Sequence, residues 1–168
     1  MGNHQGISPV FFVFLRELLF LEPSKKKPCM IRLVIVDDHF QVREAWSWVL
    51  GQAPGIHVIA QCANGQEAIE AAERLQPDVI LMDIHMKPVN GIEATRIIRG
   101  FAPGMKIIAV SVQAERSYVN EMLRAGANGY VTKNSSSQEM IAAISEVLAG
   151  RTYICEEVGH LRPALALR

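Results

Sequence analysis

From Ile31 onward the chain alternates between two hydrophobic periods. Ile31 to Val36 (IRLVIV) is a short, nearly continuous apolar run that ends at Asp37-Asp38. Val42, Ala45, Trp46, Val49 and Leu50 then recur at helical spacing. His57 to Ala63 reads as a strand and Gln66 to Leu75 as a helix, with Asn64 and Glu67 as its capping pair. Pro77 interrupts the chain before Asp78 to Ile84 (DVILMDI), a run suited to a buried strand. Ala94, Ile97, Ile98 and Phe101 predict the inner face of a third helix, and Lys106 to Val112 (KIIAVSV) a fourth strand. Val119, Met122 and Leu123 mark a fourth helix closed by Gly126. Gly129 to Thr132 is a short fifth strand. Met140, Ile141, Ile144, Val147 and Leu148 predict the inner face of a fifth helix, with Ser136 and Glu139 as its capping box and Gly150 at its end.

Five strand–helix units result. Apolar strands alternating with amphipathic helices predict an α/β fold, a five-stranded parallel sheet with helices on both faces, doubly wound. In open sheets of this kind ligands bind beyond the carboxyl ends of the strands. The residues at those ends are therefore the candidates for chemistry. The first strand runs into Asp37 and Asp38, the third into Asp83, the fourth into Ser111 and the fifth into Lys133. The second ends in Asn64-Gly65, a turn and cap.

Three carboxylates converging on one edge repel one another and need a counter-charge. A hard divalent cation with oxygen ligands fits, and Mg²⁺ commonly combines one or two carboxylates with waters and a phosphate. Lys133 adds a point charge suited to phosphate, and Ser111 a hydroxyl donor. Together these groups describe a phosphoryl-transfer site in which a carboxylate can itself be the nucleophile. Taken singly, each has a plainer explanation. An Asp-Asp pair after a strand caps helices, a lone lysine is solvated, and a strand serine bonds to backbone. Asp83 is harder to dismiss, because it sits within otherwise core sequence. The joint pattern carries the weight.

The chain has 168 residues, is 49% hydrophobic and has a formal net charge of zero. That suits one domain with tails, excludes disorder as the main state, and gives no general electrostatic drive toward nucleic acid or anionic membrane. Cys29, Cys62 and Cys155 are widely spaced, odd in number and form no CxxC, which argues against a disulfide scaffold or a cysteine-bound zinc and for a reducing cytoplasm. Val10 to Leu21 (VFFVFLRELLFL) is strongly apolar but shorter than the ~20 residues that span a bilayer, and Arg16 and Glu17 interrupt it. No Lys or Arg precedes it, so a secretory signal does not fit. Met30 reads as the natural start, with 1–29 a non-native or upstream extension. A membrane-surface anchor or docking helix is the competing interpretation.

At these residues the sequence resembles the receiver domain of bacterial two-component response regulators, over Ile31 to Gly150. The matching pieces are VIVDDH, LMDIHMKPVNG, AVSV and GYVTK. The spacings agree too: 45 residues from Asp38 to Asp83, 28 to Ser111 and 22 to Lys133. The AVSV and LMDIHMKPVNGIEATR segments are most similar to receivers of the LuxR/FixJ-type transcription factors. The resemblance implies a flavodoxin-like (CheY-like) sheet, with Asp83 as phosphoacceptor. It implies that Asp37, Asp38 and Asp83 hold Mg²⁺, with Asp38 favoured over Asp37 as direct ligand and the His85 backbone carbonyl as a further one. Ser111 would donate to the phosphoryl group, Lys133 would pair with it, and Tyr130 matches the aromatic switch that moves inward as Ser111 shifts. The alternative for Tyr130 is an ordinary strand aromatic with its hydroxyl at the surface. A sensor histidine kinase would be the donor, with homodimerisation on activation, no membrane partner and no enzymatic turnover beyond self-phosphorylation and autodephosphorylation.

Two departures stand out. The family's D-x-x-M-P here runs Asp83-Ile84-His85-Met86-Lys87-Pro88, the proline one place late, while Gly91 keeps its spacing. Asn134 follows Lys133 where the family often has proline, which puts a cis peptide there in doubt. Relatives of this type usually continue into a helix-turn-helix domain of ~60 residues. Residues 151–168 carry no such pattern and read as a tail or the start of a linker, so DNA binding would need an output domain absent from this chain. Stand-alone signalling by protein contact and a phosphate-independent binding module are the alternatives. A Mg²⁺-dependent phosphohydrolase fits less well: Asp83-Ile84-His85 lacks a second Asp, and there is no cap insertion. A flavodoxin-like cofactor binder fits less well still, because the first loop, Asp37-Asp38-His39-Phe40, is acidic.

Overall fold

In a computed structural model of the chain, residues 30–159 are described. The expectations for 1–29 and for 160–168 lie outside them.

The elements are β1 (Ile31–Val36), α1 (Phe40–Gly51), β2 (Ile56–Cys62), α2 (Gly65–Leu75), β3 (Val79–Asp83), α3 (Gly91–Phe101), β4 (Lys106–Ser111), α4 (Arg116–Ala125), β5 (Gly129–Thr132), α5 (Ser137–Leu148), β6 (Tyr153–Ile154) and α6 (Glu156–Gly159). The strand order is β2-β1-β3-β4-β5-β6, and every neighbouring pair is parallel. The helices α2, α3 and α4 pack side by side, and α1 packs beside α5. The central strands therefore bury both faces: Leu33 to Val36, Val79 to Met82 and Ile107 to Val110 are all core. Such continuous apolar runs are what a parallel sheet covered on both sides requires.

Local signals set most helix ends. The Asn64 carboxamide accepts from Glu67 N–H at 3.0 Å, and the Glu67 carboxylate returns to Ala63 N–H at 2.8 Å. Asn90 caps α3 in the same way through Glu93 N–H. Gly126 ends α4 at φ 110°, in the left-handed region. Ser136 caps α5 through Glu139 N–H at 3.1 Å. The expected return bond from Glu139 is spent elsewhere: its carboxylate accepts from Glu156 N–H at 3.0 Å and from the Tyr153 hydroxyl at 3.4 Å.

Five details differ from the sequence pattern. The sheet has a sixth strand where five were expected. Two residues are too short to show a period, and pairing with the open edge of β5 decides it. On α3, Ile97 and Phe101 are outside, and the buried stripe runs through Gly91, Ala94, Thr95 and Ile98. The phase is fixed by Gly91, whose N–H donates to Ile84 O at 2.9 Å and whose Cα lies against the Asp83 carbonyl. On α5, Leu148 is partly exposed and Ala143 takes its place inside. On α1 only Leu50 is fully buried and Ala45 is exposed, while Trp48, off the predicted inner face, is outside at 71% exposure. Val112 lies past the end of β4 and is exposed.

Candidate phosphoryl-transfer site

The order β2-β1-β3-β4-β5 brings the ends of β1, β3, β4 and β5 side by side along one rim. Asp37, just beyond β1, is buried. Its Oδ1 accepts from His39 N–H at 2.9 Å, and its Oδ2 lies 2.5 Å from Lys133 Nζ. Asp83, the last residue of β3, is also buried; its Oδ1 accepts from Ile84 N–H at 2.8 Å and its Oδ2 is 3.3 Å from the same Lys133 Nζ. One lysine thus serves two buried carboxylates contributed by strands that are neighbours in space and 46 residues apart in sequence.

The electrostatics of Asp83 follow from that crowding. Burial pushes its pKa above the usual carboxylate value, and the charge of Asp37 adds to the rise. Lys133 and the Ile84 N–H oppose it. An added cation would relieve the same repulsion. The carboxylate oxygens of Asp37 and Asp38 suit a hard one, and they lie within 4.8 Å of each other and of a ring nitrogen of His39, a softer donor. The His39 Nδ1 sits 2.7 Å from Asp38 Oδ1.

Ser111 ends β4 fully buried, and its Oγ accepts from Gln113 N–H at 3.1 Å. Its carbonyl accepts from Lys133 N–H at 2.8 Å, which ties the two strand ends together. Tyr130 is completely buried, and its hydroxyl donates to the Gln113 carbonyl at 2.8 Å. The hydroxyl therefore does not lie at the surface in this structure. Burial pushes its phenol up to about 12, against a smaller opposing effect of the Ser111 hydroxyl. Asp38 and His85 are exposed, and the His85 ring meets Tyr118 of α4 edge-on, with centroids 5.0 Å apart. The cis peptide among the described residues is Lys87-Pro88, in the loop after β3, and not at Lys133.

Two features escaped the sequence pattern. Arg43 of α1 donates to the Asp37 carbonyl at 2.6 Å. Thr132, just before Lys133, is buried and donates to Glu157 of α6 at 2.5 Å. A hydroxyl residue next to a site lysine is the one hint a sequence could offer for the second.

The family model for the response regulator receiver domain matches residues 33–145, a span that contains this whole rim. The chain belongs to the response regulator receiver family. This receiver is 40% identical over 131 residues to the response regulator GacA of Pseudomonas viridiflava, covering 78% of this chain and 61% of that protein. It is 40% identical over 130 residues to the transcriptional regulatory protein DegU of Brevibacillus brevis, covering 77% and 55%. Among solved structures, a LuxR-family two-component response regulator from Aurantimonas sp. SI85-9A1 superposes with a TM-score of 0.74 at 34% identity, over 77% of this chain and 92% of that one. The receiver spans about three fifths of the length of such curated relatives. No helix among the described residues is long and apolar enough to cross a membrane.

Proposed function

We propose that this receiver accepts a phosphoryl group on Asp83 from a phosphohistidine of a sensor histidine kinase and converts that charge into a change of its interaction surface. The observation that carries the proposal is Lys133 Nζ standing between Asp37 and Asp83 at the rim. The Ile84 N–H holds one Asp83 oxygen and leaves the other facing Lys133. The latter is the oxygen that attacks, and the bond to the donor imidazole nitrogen breaks as it forms. Lys133 neutralises charge on the transferring group. Ser111 turns its hydroxyl from the Gln113 amide toward the phosphoryl oxygens, which frees the loop that also holds Tyr130. Asp37, Asp38 and Asp83, with the His85 carbonyl, would hold Mg²⁺, which when bound supplies further positive charge to those oxygens. A groove beside Lys133, lined by Val42, Trp46, Val49 and Ser137, offers apolar surface to a donor protein.

The product carries about two negative charges where one stood before. Such a change biases a two-state arrangement of the loops after β4 and β5. The chain acts as a switch and not as an enzyme with turnover, dimerises when activated, and works in the cytoplasm. Its free Cys62 and Cys155 suit that reducing compartment. Similarity to the transcriptional regulatory protein DegU supports a role in transcription, exerted through a DNA-binding output domain outside these residues.

Intact mass after incubation with Mg²⁺ and acetyl phosphate tests the assignment. A gain of one phosphoryl group in the native sequence and none in Asp83→Asn is expected. An equal gain in both would reject Asp83, and no gain in either would favour a phosphate-independent module.

A further inference from the structure

The residues after α5 are built into the same rim, and nothing in the switch described above uses them. β6 adds to the free edge of β5, with Tyr153 N–H donating to Asn128 O at 3.1 Å and Cys155 N–H to Tyr130 O at 3.0 Å. Ile154, Cys155 and Val158 are buried, so the segment is seated in the core and does not merely lie on the surface. Glu139 of α5 fastens it through Glu156 N–H and the Tyr153 hydroxyl.

Two connections lead from the site to this segment. The first runs through Lys133: Thr132 precedes it by one peptide bond, and the Thr132 hydroxyl is held by Glu157 Oε2. The second runs through Tyr130, whose hydroxyl bonds to Gln113 beside Ser111 and whose carbonyl bonds to Cys155. Both Ser111 and Lys133 are groups that must reorient when Asp83 becomes doubly charged.

We propose that Tyr153–Val158 is a strap that reads the charge at Asp83, seated while the aspartate is free and loosened when it is phosphorylated. This rests on Asp83 being the phosphoacceptor. As Lys133 leaves Asp37 for the phosphoryl oxygens, the end of β5 shifts with it. The Thr132–Glu157 bond depends steeply on distance and angle, so it weakens. Movement of Ser111 and its loop disturbs the Tyr130 connection at the same time. Whatever follows residue 159 is thereby coupled to the site. Coupling is reciprocal, so a loosened strap favours the phosphorylated form.

Amide hydrogen exchange of the full chain, read by mass spectrometry with and without Mg²⁺ and acetyl phosphate, tests this. Intact mass on the same samples reports the modification separately. Exchange in peptides covering 153–158 should quicken about fivefold or more on phosphorylation, the lower end of ordinary coupling between sites. Glu157 is exposed, so Glu157→Ala leaves the core intact. That variant should exchange fast at 153–158 without phosphorylation and reach higher phosphoryl occupancy at the same acetyl phosphate concentration. Unchanged protection at 153–158 in a chain whose mass shows the phosphoryl group would overturn the strap alone. Glu157→Ala indistinguishable from the native chain in both measurements would do the same. Absence of any mass gain would remove the phosphoacceptor assignment and the strap with it.

Discussion

At the carboxyl rim of the sheet, Lys133 is shared by two buried carboxylates that repel each other. At the opposite end, the Arg99 guanidinium is also half-buried, but every acceptor around it is neutral. It donates to the carbonyls of Gly126, Pro103 and Met105, more weakly to that of Ala102, and to the Asn128 side chain. Asn128 Oδ1 in turn accepts from Ile107 N–H. The Arg99 centre joins the ends of α3 and α4 to the starts of β4 and β5, and nothing there competes for charge. The two centres show that buried polar groups serve opposite ends. One arrangement is complete and holds the frame. The other holds two carboxylates that compete for one lysine, the arrangement that the proposed switch would draw on.

The sharpest way to break the comparison is at the contact that places Asp83. A Cβ on Gly91 would fall 1.9 Å from the Asp83 carbonyl oxygen. Gly91→Ala must therefore shift β3 or α3, and we expect a loss of ~4 kcal/mol or more, or no folded protein, in urea denaturation. A variant close to native stability would show that the rim is softer than its packing implies.

Next comes the frame itself. Arg99→Met keeps much of the stem volume but strands several carbonyls, and should cost about 2–4 kcal/mol. The urea midpoint should fall with an unchanged slope. Phosphoryl uptake per folded molecule should stay as in the native chain. Impaired uptake would mean that the frame and the switch are not separate.

The smallest effect has the opposite sign. The raised pKa of Asp83 means that the folded chain holds this proton more tightly than the unfolded chain. Stability from the position is complete below the ordinary value of 3.8 and is lost as pH rises through the folded value. Asp83→Asn should therefore melt above the native chain at pH 7, with the gap closing toward pH 4. A lower Tm at pH 7 would show that the bond to Lys133 outweighs the cost of burial.

Tyr130 and β6 mark the boundary of what local pattern can reveal. Tyr130 lies on a run that reads plainly as a strand, yet its inward side chain and its bond to Gln113 depend on the loop after β4. The same limit applies to Ile97 and Phe101, whose spacing with Ala94 and Ile98 suggested a common buried face. The close approach of Gly91 to Asp83 turned α3 instead and buried Thr95, whose hydroxyl finds no hydrogen-bond partner.

The sequence by itself determined the alternation of strands and helices, the caps at Asn64 and Ser136, and the residue types at each strand end. These follow from period, local hydrogen bonding and burial preference, which act over a few residues. Only the tertiary structure decided that Lys133 lies between Asp37 and Asp83, that α3 faces inward through Thr95, and that the chain after α5 returns as β6. Each of those rests on contacts between segments distant in sequence, where the surface presented by one segment fixes the phase or partner of another.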